Sequence, residues 1–173
     1  NVEHFCLVPS DFKLIVKDDQ QSELNELMNR YANLISIIFL FDITSIIGNS
    51  IEFKINGYKS IKGKSDVAKL HLQEFDEYYN IFEWVYNGGN LTDKIGLSRN
   101  ILSLHFRSAG ELYLTGNPFQ SVKSSFKVYE KQNIKQYIEI RNKISDQLLD
   151  FNNRANKIVE TFASGFQKSI LAL

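Results

Sequence analysis

The sequence predicts an α+β protein in which a small N-terminal antiparallel sheet packs on a helical bundle that ends in a long C-terminal helix. Three observations predict it. Ile51, Phe53 and Ile55 alternate with Glu52, Lys54 and Asn56 directly after Gly48-Asn49, which is how a hairpin strand with one buried face reads. From Asp66 onward the apolar residues fall at helical spacing instead. Finally, Lys131 to Leu173 holds no proline and a single glycine, Gly165, over a length several times the roughly 11–12 residues of an ordinary helix.

Taken in order, Phe12 to Lys17 is short, β-branched and closed by Asp18-Asp19, which predicts a strand. Ser22 then suits an N-cap, with Glu23 and Glu26 in the first turn and Leu24, Leu27, Met28, Tyr31 and Leu34 at helical spacing. Ile35 to Thr44 is rich in β-branched and aromatic residues and predicts a buried strand. Segments 35–46 and 50–57 are expected to form an antiparallel hairpin around Gly48-Asn49. Tyr58 to Ser65 reads as a basic loop. Leu72, Phe75, Tyr79, Phe82 and Val85 predict a helix that stops at Asn87-Gly88-Gly89-Asn90. Thr92 or Asp93 is expected to cap the next helix, which carries Ile95, Leu97, Ile101, Leu102 and Leu104. Pro118 suits the first turn of another, running through Tyr129 and either hinging near Asn133 or continuing into the long helix.

The 173 residues suit a single domain, 1–173, with a sheet-containing part at 1–65, a helical part at 66–173 and the long helix at about 131–171. With 43% hydrophobic and 13% aromatic residues the chain has the means to build a core. The 20 basic and 20 acidic residues cancel, so no net field draws the chain to nucleic acid or an anionic membrane. The lone cysteine, Cys6, excludes an internal disulfide framework and suits a reducing, cytoplasmic setting. Leu34 to Phe41, the longest apolar run, is far short of the ~20 residues that span a bilayer.

The long helix carries the leading functional expectation. Ile134, Arg141, Leu148, Ala155 and Phe162 repeat every seventh residue, accompanied by Tyr137, Ile144, Phe151 and Ile158, while lysines, aspartates and asparagines fill the opposite face. Leu148, Phe151, Ile158, Phe162 and Phe166 are the expected interaction seam. After Glu160 only Lys168 is charged, so the chain end thins in polarity where termini are ordinarily polar. The expectation is a non-enzymatic sensing or protein-interaction domain of a larger intracellular protein. Its helix would engage a partner protein, a second copy of itself, or a membrane segment beyond Leu173 that holds the domain at the inner face of a membrane.

Two motifs compete with that reading. Gly57-Tyr58-Lys59-Ser60-Ile61-Lys62-Gly63-Lys64-Ser65 follows a strand as a phosphate-binding loop does, but it has one residue too many between its glycines for the backbone amides to wrap a phosphate. Lys59, Lys62 and Lys64 remain candidates for meeting a phosphate or an acidic partner. Arg99-Asn100 with His105 resembles the signature of the HEPN ribonucleases, in which a polar residue follows an arginine and a histidine lies a turn or two further on. The resemblance covers the helical part from residue 66. It implies a helical bundle that dimerises and cleaves RNA without metal, with His105 moving the 2′-hydroxyl proton, Arg99 steadying the phosphorane and Asn100 beside them. The structural alternative is that Arg99 and His105 make hydrogen bonds or an ion pair with Asp93 or Glu111. Nucleic acid is a partner only under the ribonuclease reading. His4 and His71 lack the spacing of zinc ligands, Cys6 lacks the surroundings of a nucleophile, and the aromatics at Tyr78 to Tyr86 read as core. No metal or cofactor is expected.

Overall fold

The computed structural model describes residues 7–14, 22–67, 72–108 and 111–171, and the chain divides into two units, Asn1–Lys127 and Val128–Leu173. In the first unit a 3-10 turn at Pro9–Phe12 precedes helix α1, Ser22–Leu40. Proline presets φ for such a turn. Phe12 therefore ends a turn instead of opening a strand over 12–17, of which residues 15–17 lie outside the described ones, as do His4, Cys6 and His71.

Helix α1 brings the largest correction. Ile35 to Leu40, expected as strand, is its C-terminal third. Ala32, Asn33, Ser36, Ile37 and Leu40 are buried, and their spacing is one stripe of a helix. The Ser36 hydroxyl donates to the Ala32 carbonyl at 2.7 Å, one turn back, a bond that helical backbone offers. Asn33 donates to the Asn29 carbonyl at 2.8 Å and accepts from the Tyr79 amide at 3.2 Å, which fastens α1 to α2, Leu72–Tyr86. Burial against α2 outweighs the weak preference of isoleucine for strands.

The sheet has three antiparallel strands in the order β1 (Ile43–Ile47), β2 (Ser50–Asn56), β3 (Ser60–Asp66). The expected hairpin exists with a shorter first strand. Ile47 and Ser50 flank a two-residue turn in which Gly48 takes φ +59°, the positive first position that a II′-type hairpin turn needs. Strand β3 replaces the expected basic loop. Ile61, Gly63 and Ser65 pair with Ile55, Phe53 and Ile51 on the core face, leaving Lys62 opposite Lys54 and Lys64 opposite Glu52 on the other face. Gly63 thus lies within a ladder, and the segment has no phosphate-cradling loop.

The core lies between this sheet and α1, α2 and α3, Leu91–His105. Phe41 is its hub, with ring centroids 5.6 Å from Phe53, 5.8 Å from Tyr78 and 6.0 Å from Phe106. Two helix ends are closed by side chains, one from a neighbouring helix and one from the helix's own cap. Helix α2 stops at Gly88 and Gly89, both at positive φ, as expected. Lys94, 7% exposed, donates to the carbonyls of Trp84 (2.9 Å), Asn87 (3.3 Å) and Gly88 (2.6 Å) there, placing a cation where the helix dipole is negative. The cap of α3 is Asn90, earlier than the expected Thr92 or Asp93, and its side chain accepts from the Thr92 and Asp93 amides at 3.1 and 3.3 Å.

Helix α4 runs from Pro118 to Leu171 without interruption. The helix expected through Tyr129 and the one expected at 131–171 are one element. Glu77 accepts from the Phe119 amide at 2.8 Å, and within the first unit Val122 is fully buried and Phe126 meets Trp84 edge-on at 5.1 Å.

Candidate functional site

The second unit consists of the remainder of α4, residues 128–171, roughly 65 Å of helix at about 1.5 Å per residue. Its helicity is locally secured. No proline interrupts it, and the pairs Lys135–Glu139 and Asp150–Arg154 stand one turn apart at 3.9 and 2.9 Å. The hydroxyls of Thr161, Ser164 and Ser169 donate back to helix carbonyls at 2.7, 2.9 and 3.0 Å. These polar contacts all lie within the helix itself.

The apolar side is not. From Glu130 to Ile170 every residue is exposed except Ala155, which is half-buried. Leu148, Phe151, Ile158, Phe162 and Phe166 are 60, 69, 68, 75 and 62% exposed. Side chains of this size gain roughly 1.5–3 kcal/mol each on full burial, so the seam forgoes most of that stabilisation. A shallow, open depression along it is lined by Ile158, Phe162, Gly165 and Phe166 together with Thr161 and Ser169 and with Arg154 and Lys157, and a Cβ added at Gly165 would meet nothing within 4 Å. Ile138, Val159 and Ile170 widen the stripe. Ile138 and Val159 lie outside the seven-residue repeat, four residues after Ile134 and Ala155, and Ile170 follows Phe166 at the same spacing. Contiguous apolar surface beyond a few hundred Å² is uncommon on monomers and marks interaction sites.

The Arg99 constellation is built differently. Its Nε donates to the Leu40 carbonyl at 2.8 Å, one terminal nitrogen donates to the Phe41 carbonyl at 3.0 Å, and the other pairs with Asp42 at 2.8 Å. Asp42 in turn accepts from the Asn56 amide at 2.7 Å. The guanidinium thus closes the end of α1 and ties it to β2, through Asp42 and not the anticipated Asp93 or Glu111. His105 is the last residue of α3, and its Nδ1 contacts the Thr115 carbonyl at 2.6 Å; because a carbonyl only accepts, Nδ1 carries the proton. Asn100 accepts from the Ser103 hydroxyl at 2.7 Å through its backbone carbonyl. Since α3 is regular through both residues, six positions leave Arg99 and His105 about 120° apart around the helix. The fold does not bring them to one face.

Of the three lysines, Lys62 and Lys64 share the outer face of β3 with Lys54 and Glu52 of β2, and Lys59 lies apart from them. Lys64 is paired with Glu52 at 3.0 Å, Lys62 lies beside Lys54 across the strands, and Lys59 sits in the β2–β3 turn with its amide donating to Ser103 at 3.1 Å. Among the described residues no three His, Cys, Asp or Glu side chains gather as metal ligands.

Two phenols have shifted ionisation. Burial raises Tyr79 above the ordinary 10.0, with Glu83 adding to it, and burial raises Tyr86 against the opposing pull of Arg99. The Tyr86 hydroxyl donates to the Phe39 carbonyl at 3.2 Å. The folded state therefore favours the neutral phenols, so the stability they lend is whole below pH 10 and is lost as pH rises beyond the raised values. Tyr86→Phe should flatten the fall of the melting temperature above pH 10, which a thermal denaturation series across that range would measure.

No protein-family model, curated protein or solved structure matches this chain. The geometry alone defines the class: an α+β chain with an amphipathic helix whose apolar face is uncovered. Among the described residues no helix is long and apolar enough to cross a membrane.

Proposed function

We propose that this chain is a protein-interaction module that works by self-association through the apolar seam of α4. The observation that carries it is the exposure of Phe151, Phe162 and Phe166 along one stripe. A buried aromatic side chain accounts for roughly 150–250 Å², so these three bring about 300–500 Å² per copy. With the aliphatic residues of the stripe, two copies exceed the ~1,200 Å² at which specific interfaces begin. A second copy thus has surface enough without any other partner. Acidic and basic residues nearly balance along residues 128–171, whereas helices that lie on membranes carry a predominantly Lys/Arg polar face. The single cysteine supports a cytoplasmic setting. Self-association stands ahead of ribonuclease activity because Arg99 is occupied in closing α1 and His105 points elsewhere on α3.

Sedimentation equilibrium of the full chain tests the reading. The expected result is twice the 20.0 kDa chain mass, or a higher multiple, at high concentration. Phe162→Glu should weaken association by roughly 100-fold or more, the loss of about 3 kcal/mol typical of an interfacial anchor, with helical content of the first unit unchanged. A single-chain mass at every concentration would refute the proposal.

A further inference from the structure

The seam also has a direction. We propose that two copies of α4 pair antiparallel, overlapping over the helix of the second unit with the two-fold axis between Leu149 and Asp150. This rests on the self-association reading and adds orientation and register to it.

Side-chain size favours this orientation. In a parallel, in-register pair each seam residue meets its own copy, so Phe151 and Phe162 would each stack on themselves while Ala155 and Gly165 would leave gaps. Well-packed helical interfaces instead set large side chains against small ones. The helix of the second unit runs from Val128 to Leu171, and its midpoint falls between Leu149 and Asp150. Antiparallel overlap about that point brings the two seven-residue stripes into the alternation that knobs-into-holes packing requires. It sets Ile134 against Gly165 and Ile144 against Ala155, a large residue on a small one in both layers. Leu148 meets Phe151 at the centre. At the flanks Ile138 meets Val159 and Ser145 meets Asn152, apolar with apolar and polar with polar.

Charge points the same way. Arg141 occupies a seam position, and its neighbours one turn away are Tyr137, Ile138, Ile144 and Ser145, none of them acidic. A parallel pair would press two guanidinium groups together, a juxtaposition that costs several kcal/mol. In the antiparallel pair the two Arg141 residues are about 25 Å apart along the axis, and each lays its aliphatic stem over Ile158 with its charged end toward water. Arg141 acts as the specificity residue that selects orientation.

Distance measurement by pulsed electron paramagnetic resonance decides this. Spin labels would be placed singly, in a Cys6→Ser background, by Glu139→Cys, Asp146→Cys, Asn153→Cys and Glu160→Cys, all on the helix side opposite the seam. Antiparallel overlap predicts matching long distances at 139 and 160, with an axial separation of about 31 Å, and matching short ones at 146 and 153, about 10 Å. Four equal distances would mean a parallel pair and overturn the orientation. A pattern symmetric about another residue would overturn the register. No dipolar coupling at any site, together with a single-chain mass in sedimentation, would overturn self-association itself and not merely its geometry.

Discussion

Gly57→Ala is expected to destabilise the first unit by about 3 kcal/mol, at the upper end of what overpacking costs. Gly57 follows β2 where the chain presses against α3. An added Cβ would clash with the Arg99 carbonyl oxygen, and would lie 2.6 Å from the Ser103 hydroxyl and 2.8 Å from the Arg99 carbonyl carbon. Two of those atoms are helix backbone and cannot swing aside, so the turn must lift from α3 and strain the Lys59 amide bond to Ser103. Gly96→Ala is the internal control. It lies within α3 with nothing within 4 Å of its added Cβ, and should stabilise by roughly 0.5–1 kcal/mol because alanine loses less backbone freedom in a helix. Urea unfolding followed by circular dichroism reads both. Equal effects at the two glycines would show that α3 and the β2–β3 turn do not meet this closely.

Arg99→Ala is expected to cost about 3–4 kcal/mol, comparable with breaking a largely desolvated ion pair from one side. The variant strips donors from the Leu40 and Phe41 carbonyls at once and leaves Asp42 facing them, with both members of the Arg99–Asp42 pair only about a quarter exposed. Arg99→Lys should recover a minor part, since an ammonium cannot serve three acceptors in the fork that a guanidinium reaches. Asp42→Asn is the informative partner, because it keeps an acceptor for the Asn56 amide while removing the charge. Together with Arg99→Ala and the double variant it closes a cycle that isolates the pair. Stability within about 0.5 kcal/mol of wild type for Arg99→Ala would refute the structural role, and would free the guanidinium for the phosphate chemistry that its resemblance implies.

The sequence by itself determined what is local. Gly48-Asn49 turns the hairpin, Gly88-Gly89 ends α2 and Pro118 starts α4, because each acts through its own φ or its missing amide proton, whatever surrounds it. The amphipathic stripe of α4 was legible for the same reason: a repeat along one helix is a property of neighbours three and four residues apart.

What the tertiary structure alone decided is everything that depends on a distant partner. Ile35 to Leu40 became helix because Asn33, Ser36 and Ile37 bury against α2, a choice that a short apolar run leaves open between strand and helix. Ser60 to Asp66 became a strand although its core-facing positions are Ile61, Gly63 and Ser65, since Phe53 lies opposite Gly63 and stacks with Phe106 at 6.1 Å; small residues suffice where a neighbour's ring fills the space, and they hide the alternation. Arg99 meets Asp42 from 57 positions away in the chain, beyond the reach of any spacing rule. The seam divides between the two. Its pattern follows from residue order, but whether Phe151, Phe162 and Phe166 face a core or water is a question of what packs beside them, and only the folded chain answers it.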